Sequence, residues 1–168
     1  MENQTILSTA KTNRVPKLIF SIILPLLVGG VTAYLTRDEI KGEWATSLAK
    51  ASYNPPSYLF GPVWTLLYIL MGVSMFLIWN TPKTELRQKA LMIFGIQLFF
   101  NFWWSIIFFI FHQILLSVVD IFLIWSLIIY MIIVFKKINP VAAYLQIPYL
   151  LWVTFATLVN IPIWYLNR

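Results

Sequence analysis

The chain has no cysteine and a single histidine, His112. The first absence excludes disulfides, thiolate metal sites and a cysteine nucleophile. The second leaves no histidine pair for a metal and no partner set for a serine–histidine triad. Charge is scarce as well: 11% of the 168 residues, where soluble domains carry about a quarter. No glycine-rich phosphate loop occurs, and no ten-residue segments of alternating hydrophobicity recur, so a membrane β-barrel is not expected. What is present is apolar: 60% of residues are hydrophobic and 17% aromatic. A chain this short must show much of its area to its surroundings, and a water-soluble fold would need more polar residues to cover it. The composition therefore points to a one-domain integral membrane protein. The net charge of +6 does not redirect this reading. The cations cluster between apolar runs, as membrane flanks do, so nucleic acid is not an expected partner.

A span needs about 20 mostly apolar residues, the length of helix that crosses about 30 Å of hydrocarbon. Residues 18–36, 51–82 and 138–167 carry no charge, and 90–135 carry only Asp120. The third of these windows in chain order, 90–135, is long enough for two helices, and His112-Gln113 is its adjacent polar pair, so a tight turn is predicted there. The expectation is an all-α membrane protein: a polar tail over 1–16, then one domain over 17–168 with spans at 18–36, 58–80, 88–111, 114–135 and 140–165. Pro82 and Asn139-Pro140 serve as stop and start signals. No small-x-small cleavage site follows the first apolar run, so it is read as a retained helix rather than a signal peptide. Asn3-Gln4-Thr5 fits a glycosylation pattern but is read as chance on a cytoplasmic tail.

Orientation follows from the cations. Lys11, Arg14, Lys17, Lys83, Arg87, Lys89, Lys136 and Lys137 fall on the N-terminal side of the bundle; Arg37, Lys41, Lys50 and Arg168 fall on the other. The excess predicts a cytoplasmic N-terminus. Between the first two spans lies a long connection, 37–57, with Trp44, Leu48 and Ala51 at helical spacing and Asn54-Pro55-Pro56 as its stop. Such a segment is either a lid over a cavity or an interfacial helix lying among headgroups.

Three spans carry polar groups below the interfaces. Gly61, Trp64, Tyr68 and Gly72 share one stripe; Gln97, Asn101, Trp104 and Ser105 share a second; Pro148, Trp152, Phe155, Ala156 and Asn160 lie along a third. Asp120 is an acid inside the fourth span. Exposing these groups to lipid is costly, so the stripes are predicted to face inward. Asn101 and Asn160 fit either a binding site or structural glue between helices. Trp64, Trp104 and Trp152 fit either a pocket or plain core packing. Bulky rings beside small residues and a few polar handles make a small-molecule cavity in the bundle, suited to a flat apolar guest.

The residues resemble a known family. Tyr53-Asn54-Pro55-Pro56, Phe60-Gly61-Pro62-Val63-Trp64-Thr65 and Tyr68 are similar to the first-loop and second-helix signature of the translocator protein family, also called tryptophan-rich sensory proteins or peripheral-type benzodiazepine receptors. Asn101-Phe102-Trp103-Trp104-Ser105 with Phe108 resembles the third-helix motif, Asp120 the fourth-helix acid, and Pro148-Tyr149-Leu150-Leu151-Trp152 with Phe155, Ala156 and Asn160 the fifth. The resemblance implies a five-helix bundle in a bacterial cell membrane, commonly a homodimer, that needs no cofactor and binds tetrapyrroles such as protoporphyrin, sterols and synthetic aromatic ligands beneath the first loop. The pocket positions would be Trp44, Tyr53, Pro55, Pro56, Phe60, Trp64, Tyr68, Asn101, Trp104, Asp120, Trp152, Phe155 and Ala156. Many members carry tryptophan where this chain has Tyr53. Some bacterial members degrade protoporphyrin in light, and Trp64 and Trp152 hold the matching redox positions. Three functions follow as expectations: a porphyrin sensor or carrier, a light- and oxygen-dependent porphyrin-degrading enzyme, or an assembly protein that packs through a small-residue face such as Gly29-Gly30-Ala33.

Overall fold

The computed structural model describes residues 14–168. Residues 1–13, which include Lys11, the Asn3-Gln4-Thr5 triplet and most of the expected polar tail, lie outside the described residues. The chain runs α1 (Arg14–Thr36), a 3-10 turn (Glu39–Lys41), α2 (Glu43–Ser47), a second 3-10 turn (Ser57–Leu59), α3 (Phe60–Trp79), α4 (Glu85–Ser105) ending in a π turn (Ile106–Ile110), α5 (Ile114–Lys136), α6 (Pro140–Tyr144) and α7 (Ile147–Leu166). No strand occurs among the described residues. Five helical segments are long and apolar enough to cross a membrane: Arg14–Thr36, Ser57–Trp79, Glu85–Ile110, Ile114–Lys136 and Pro140–Leu166.

The boundaries follow from local chemistry. The third span starts at Glu85 instead of 88, because Thr84 caps it: its Oγ1 accepts from the Arg87 N–H at 3.1 Å. Arg87, which the sequence offers only as a flanking cation, is buried, and its guanidinium donates to the carbonyls of Thr81 (2.8 Å) and Trp79 (3.4 Å). A cation there satisfies the carbonyls and the negative pole at the end of α3. The turn predicted at His112-Gln113 is present, and His112 makes it with a positive φ of 54°. Wide backbone bonds from Phe111 to Ile106 and from Gln113 to Ile107 close the π turn before it.

The fifth span departs from the single helix expected over 140–165. It breaks at Leu145-Gln146 into α6 and α7. Pro148 is the cause: it has no N–H for the Tyr144 carbonyl four residues back, and its ring would strike that carbonyl. The break is thus a proline helix start, with Pro148 in the first turn of α7. The loop helix α2 is also shorter than the Trp44–Leu48–Ala51 spacing suggests. Thr46 Oγ1 bonds the Gly42 and Glu43 carbonyls and Ser47 Oγ the Trp44 carbonyl, so hydroxyls occupy acceptors at the helix end, and Leu48 turns extended.

Ile19, Ile23 and Leu27 of α1, Phe99 of α4 and Leu151 of α7 are exposed, as surfaces bathed in lipid should be. The interior is correspondingly polar in places. Tyr68 Oη donates to Asn101 Oδ1 at 2.8 Å, Asn101 Nδ2 donates to Tyr149 Oη at 2.9 Å, and Gln97 Nε2 donates to the same Tyr149 oxygen. This chain of bonds joins α3, α4 and α7. On the same bundle, Trp125 Nε1 donates to Thr154 Oγ1 at 2.9 Å between α5 and α7, and Ser74 Oγ to the Ala142 carbonyl at 2.7 Å between α3 and α6.

Helices α1 and α3 approach each other backbone to backbone at Gly72. A Cβ there would lie 2.6 Å from the Ser21 carbonyl oxygen and from Ile22 Cα, both backbone. Gly72→Ala should therefore force the helices apart and cost about 1–3 kcal/mol; an unchanged unfolding midpoint in detergent would contradict this contact. Tyr149→Phe should cost about 1–3 kcal/mol of stability and lower the same midpoint, since it strips a shared acceptor from the buried Gln97 and Asn101 amides. A midpoint equal to wild type would show that the bonds are not formed in the protein.

Candidate functional site

A cavity of about 780 Å³ lies in the half of the bundle beneath the 37–57 connection. That is inside the range of about 300–1,000 Å³ usual for small-molecule sites. Its walls come from every long helix. α3 contributes Phe60, Trp64 and Tyr68, α4 contributes Asn101 and Trp104, and α7 contributes Trp152, Phe155 and Ala156. The loop closes it with Ile40, Ala45, Leu48, Asn54 and Pro55.

The rings brace one another. Trp104 stacks on Phe108 with centroids 5.5 Å apart, Phe60 meets Trp152 edge-on at 5.7 Å, and Trp64 leans on Tyr68 at 5.4 Å. Spacings of this kind are favourable and hold each ring in one orientation. The polar end of the chamber is Tyr68 and Asn101, already fixed by the bonds to Tyr149. The indole N–H groups of Trp104 and Trp152 are buried and make no hydrogen bond among the described residues.

The loop is fastened across the cavity at three points. Asn167, after α7, grips Ala49 with two bonds: Oδ1 accepts from the Ala49 N–H at 3.0 Å and Nδ2 donates to its carbonyl at 2.9 Å. Tyr53 Oη donates to the Leu158 carbonyl at 3.1 Å. The Trp44 indole stacks on the His112 imidazole with centroids 4.0 Å apart and planes 18° apart, and it meets Phe108 edge-on. His112 Nε2 is also 3.8 Å from Glu39 Oε2. An interfacial helix lying free among headgroups would not need these bonds.

Of the thirteen residues singled out from the sequence, Pro55, Phe60, Trp64, Tyr68, Asn101, Trp104, Trp152, Phe155 and Ala156 line the one chamber. Four stand elsewhere. Trp44 and Tyr53 are spent on fastening the loop, Trp44 against His112 and Tyr53 against α7. Pro56 is exposed beyond the lining. Asp120 is buried, with Oδ2 lacking a partner among the described residues, and sits off the cavity because Ile121 and Ile124 take the face of α5 that looks into it. No cluster of three metal-ligating side chains occurs among the described residues.

The sequence reading assigned nothing on α1 to the site, yet Gly29, Gly30, Thr32, Ala33 and Thr36 all line it. The signal was visible as Gly29-Gly30-Ala33, read as a face for another helix. Part of that face is used inside the chain: a Cβ on Gly29 would run into the Tyr68 ring, so glycine makes room for the tyrosine that holds Asn101.

Comparison with known proteins agrees with this architecture. The sequence pattern of the TspO/MBR family matches residues 21–166. The chain is 40% identical to the tryptophan-rich protein TspO of Chlorobaculum tepidum over 124 residues, 73% of this chain and 78% of that one. It is 36% identical to the protein of the same name from Archaeoglobus fulgidus over 152 residues, 90% and 97% of the two chains. With the human translocator protein it shares 34% identity over 124 residues, 72% and 73% of the two. The chain belongs to the TspO/MBR family of multi-pass membrane proteins.

Proposed function

We propose that this protein binds planar, largely apolar small molecules of the porphyrin class inside the bilayer and acts as their sensor or carrier. The observation that supports the reading is the cavity itself: about 780 Å³, walled by Phe60, Trp64, Trp104 and Trp152, with the hydrogen-bonded Tyr68–Asn101 pair at one end. A core built only for packing would fill this space. A flat conjugated guest gains ring contacts on several sides there, and its polar edge finds Asn101 and the two unpartnered indole N–H groups within the same walls. The names of the relatives, translocator protein and tryptophan-rich sensory protein, are in keeping with carriage or sensing.

The same reading has the protein in the bacterial cell membrane with its N-terminus in the cytoplasm, on the side where cations are in excess, and working as a homodimer. Trp44, Tyr53, Pro56 and Asp120 act from outside the chamber: the first two hold the roof, Pro56 stiffens the loop as it enters α3, and Asp120 belongs to the packing of α5.

Protoporphyrin titrated into the purified protein should quench tryptophan fluorescence saturably. Trp64→Phe and Trp152→Phe should each weaken binding about two- to tenfold, the worth of an aromatic contact. No quenching, or the same binding curve in both variants as in wild type, would contradict the reading.

A further inference from the structure

Charge is distributed unevenly around the cavity. Its lining is neutral apart from Lys50, and no acidic residue among the described ones contributes to it. The other charged side chains of the loop are engaged or turned elsewhere: Arg37 pairs with Asp38 at 3.3 Å, Glu39 faces His112, and Lys41 and Glu43 are exposed outside the lining. Lys50 forms no ion pair within 4 Å among the described residues. The chamber therefore presents one positive charge at its roof and no built-in anion to match it.

Nor is Lys50 on a wandering segment. Its preceding residue, Ala49, is held on both backbone groups by Asn167, and three residues on, Tyr53 is bonded to α7. Between these anchors the chain makes a turn closed by the bond from the Asn54 N–H to the Ala51 carbonyl at 3.0 Å. The lysine stem thus starts from a fixed point at the mouth, and its ammonium carries three donors to whatever occupies it. Lys50 is exposed at the protein surface, where a charge pair is worth more than in open water because the effective dielectric constant is lower.

We propose that Lys50 sets the specificity of the site by receiving a carboxylate, so that the preferred ligand is an amphiphilic acid with its flat apolar body among Trp64, Trp104 and Trp152 and its acid group at the loop. Neutral polycyclic molecules of similar shape then enter the chamber but leave the ammonium unmatched. This inference rests on the porphyrin-class reading above and adds the chemical class of its polar end.

The experiment compares protoporphyrin, a dicarboxylic acid, with its dimethyl ester, by fluorescence titration in phosphatidylcholine nanodiscs, which offer no net anionic headgroup to compete. The quantity read is the acid-to-ester affinity ratio in each protein divided by that in wild type, which cancels differences in how the two compounds partition into lipid. Lys50→Gln should lower the ratio about three- to tenfold, the range of a charge-assisted bond at a partly exposed site. Lys50→Glu should lower it further, Lys50→Arg should keep it, and added salt should shrink the wild-type ratio. Ester affinity unchanged across the variants shows that the chamber is intact in each. An acid-to-ester ratio that is the same in wild type and Lys50→Gln overturns the role of Lys50 and leaves the pocket standing. Failure of both compounds to bind wild type overturns the porphyrin-class reading itself.

Discussion

The Asn101 side chain, bonded to Tyr68 on one side and to Tyr149 on the other, is the interaction on which the cavity depends. In hydrocarbon an unmatched amide is costly, and water is not at hand to satisfy it. The protein meets the requirement by drawing α3, α4 and α7 together at one level of the bundle. Toward the Gly72 side of this level the helices pack closely. Toward the loop the same helices carry rings rather than interlocking aliphatic side chains, and the space between them stays open. The polar knot thus lines the chamber and also bonds the helices of the bundle to one another.

The roof obeys a different constraint. The loop packs Trp44 and Leu48 on Phe108, Val159 and Ile163, and directed bonds fasten it further. Asn167 secures Ala49, Tyr53 secures itself to Leu158, and Trp44 stacks on His112. A phenol at position 53 is suited to this because it supplies a hydroxyl donor at its far end. The π turn and the left-handed His112 that follow α4 also fit here, since together they present the imidazole to the loop. Proline and glycine shape the rest. Pro148 divides the fifth span so that α6 and α7 start separately, and Gly29 gives the Tyr68 ring its place.

Much of this was legible in the sequence, and for physical reasons. Spans are set by hydrocarbon thickness, so charge-free windows revealed five helices and the polar pair His112-Gln113 revealed a tight turn between two of them. Tyr68, Asn101, Trp104 and Trp152 were found because polar and indole groups within a span must face inward. What was hidden depends on partners far away in the chain. The contribution of α1 rests on small residues whose value is the room they leave, and the sequence pattern reads that equally well as a helix-packing face. Arg87 looks like any flanking cation until the end of α3 is seen to need a donor. Trp44 and Tyr53 have the composition of a pocket wall, but their partners, His112 and Leu158, lie more than sixty residues on. Lys50 passed as one cation among several because its distinction is the neutrality of everything else around the chamber.

The central claim is that the rings of Trp64, Trp104 and Trp152 enclose a space that takes a flat guest under the fastened loop. The most direct measurement is a structure of the protein determined with protoporphyrin bound in a bilayer mimetic. The account predicts the macrocycle between these three indoles, beside Asn101 and below Pro55, with the loop still joined to Asn167. A macrocycle lodged on the lipid-facing surface, with the chamber collapsed and the indoles packed against one another, would contradict it.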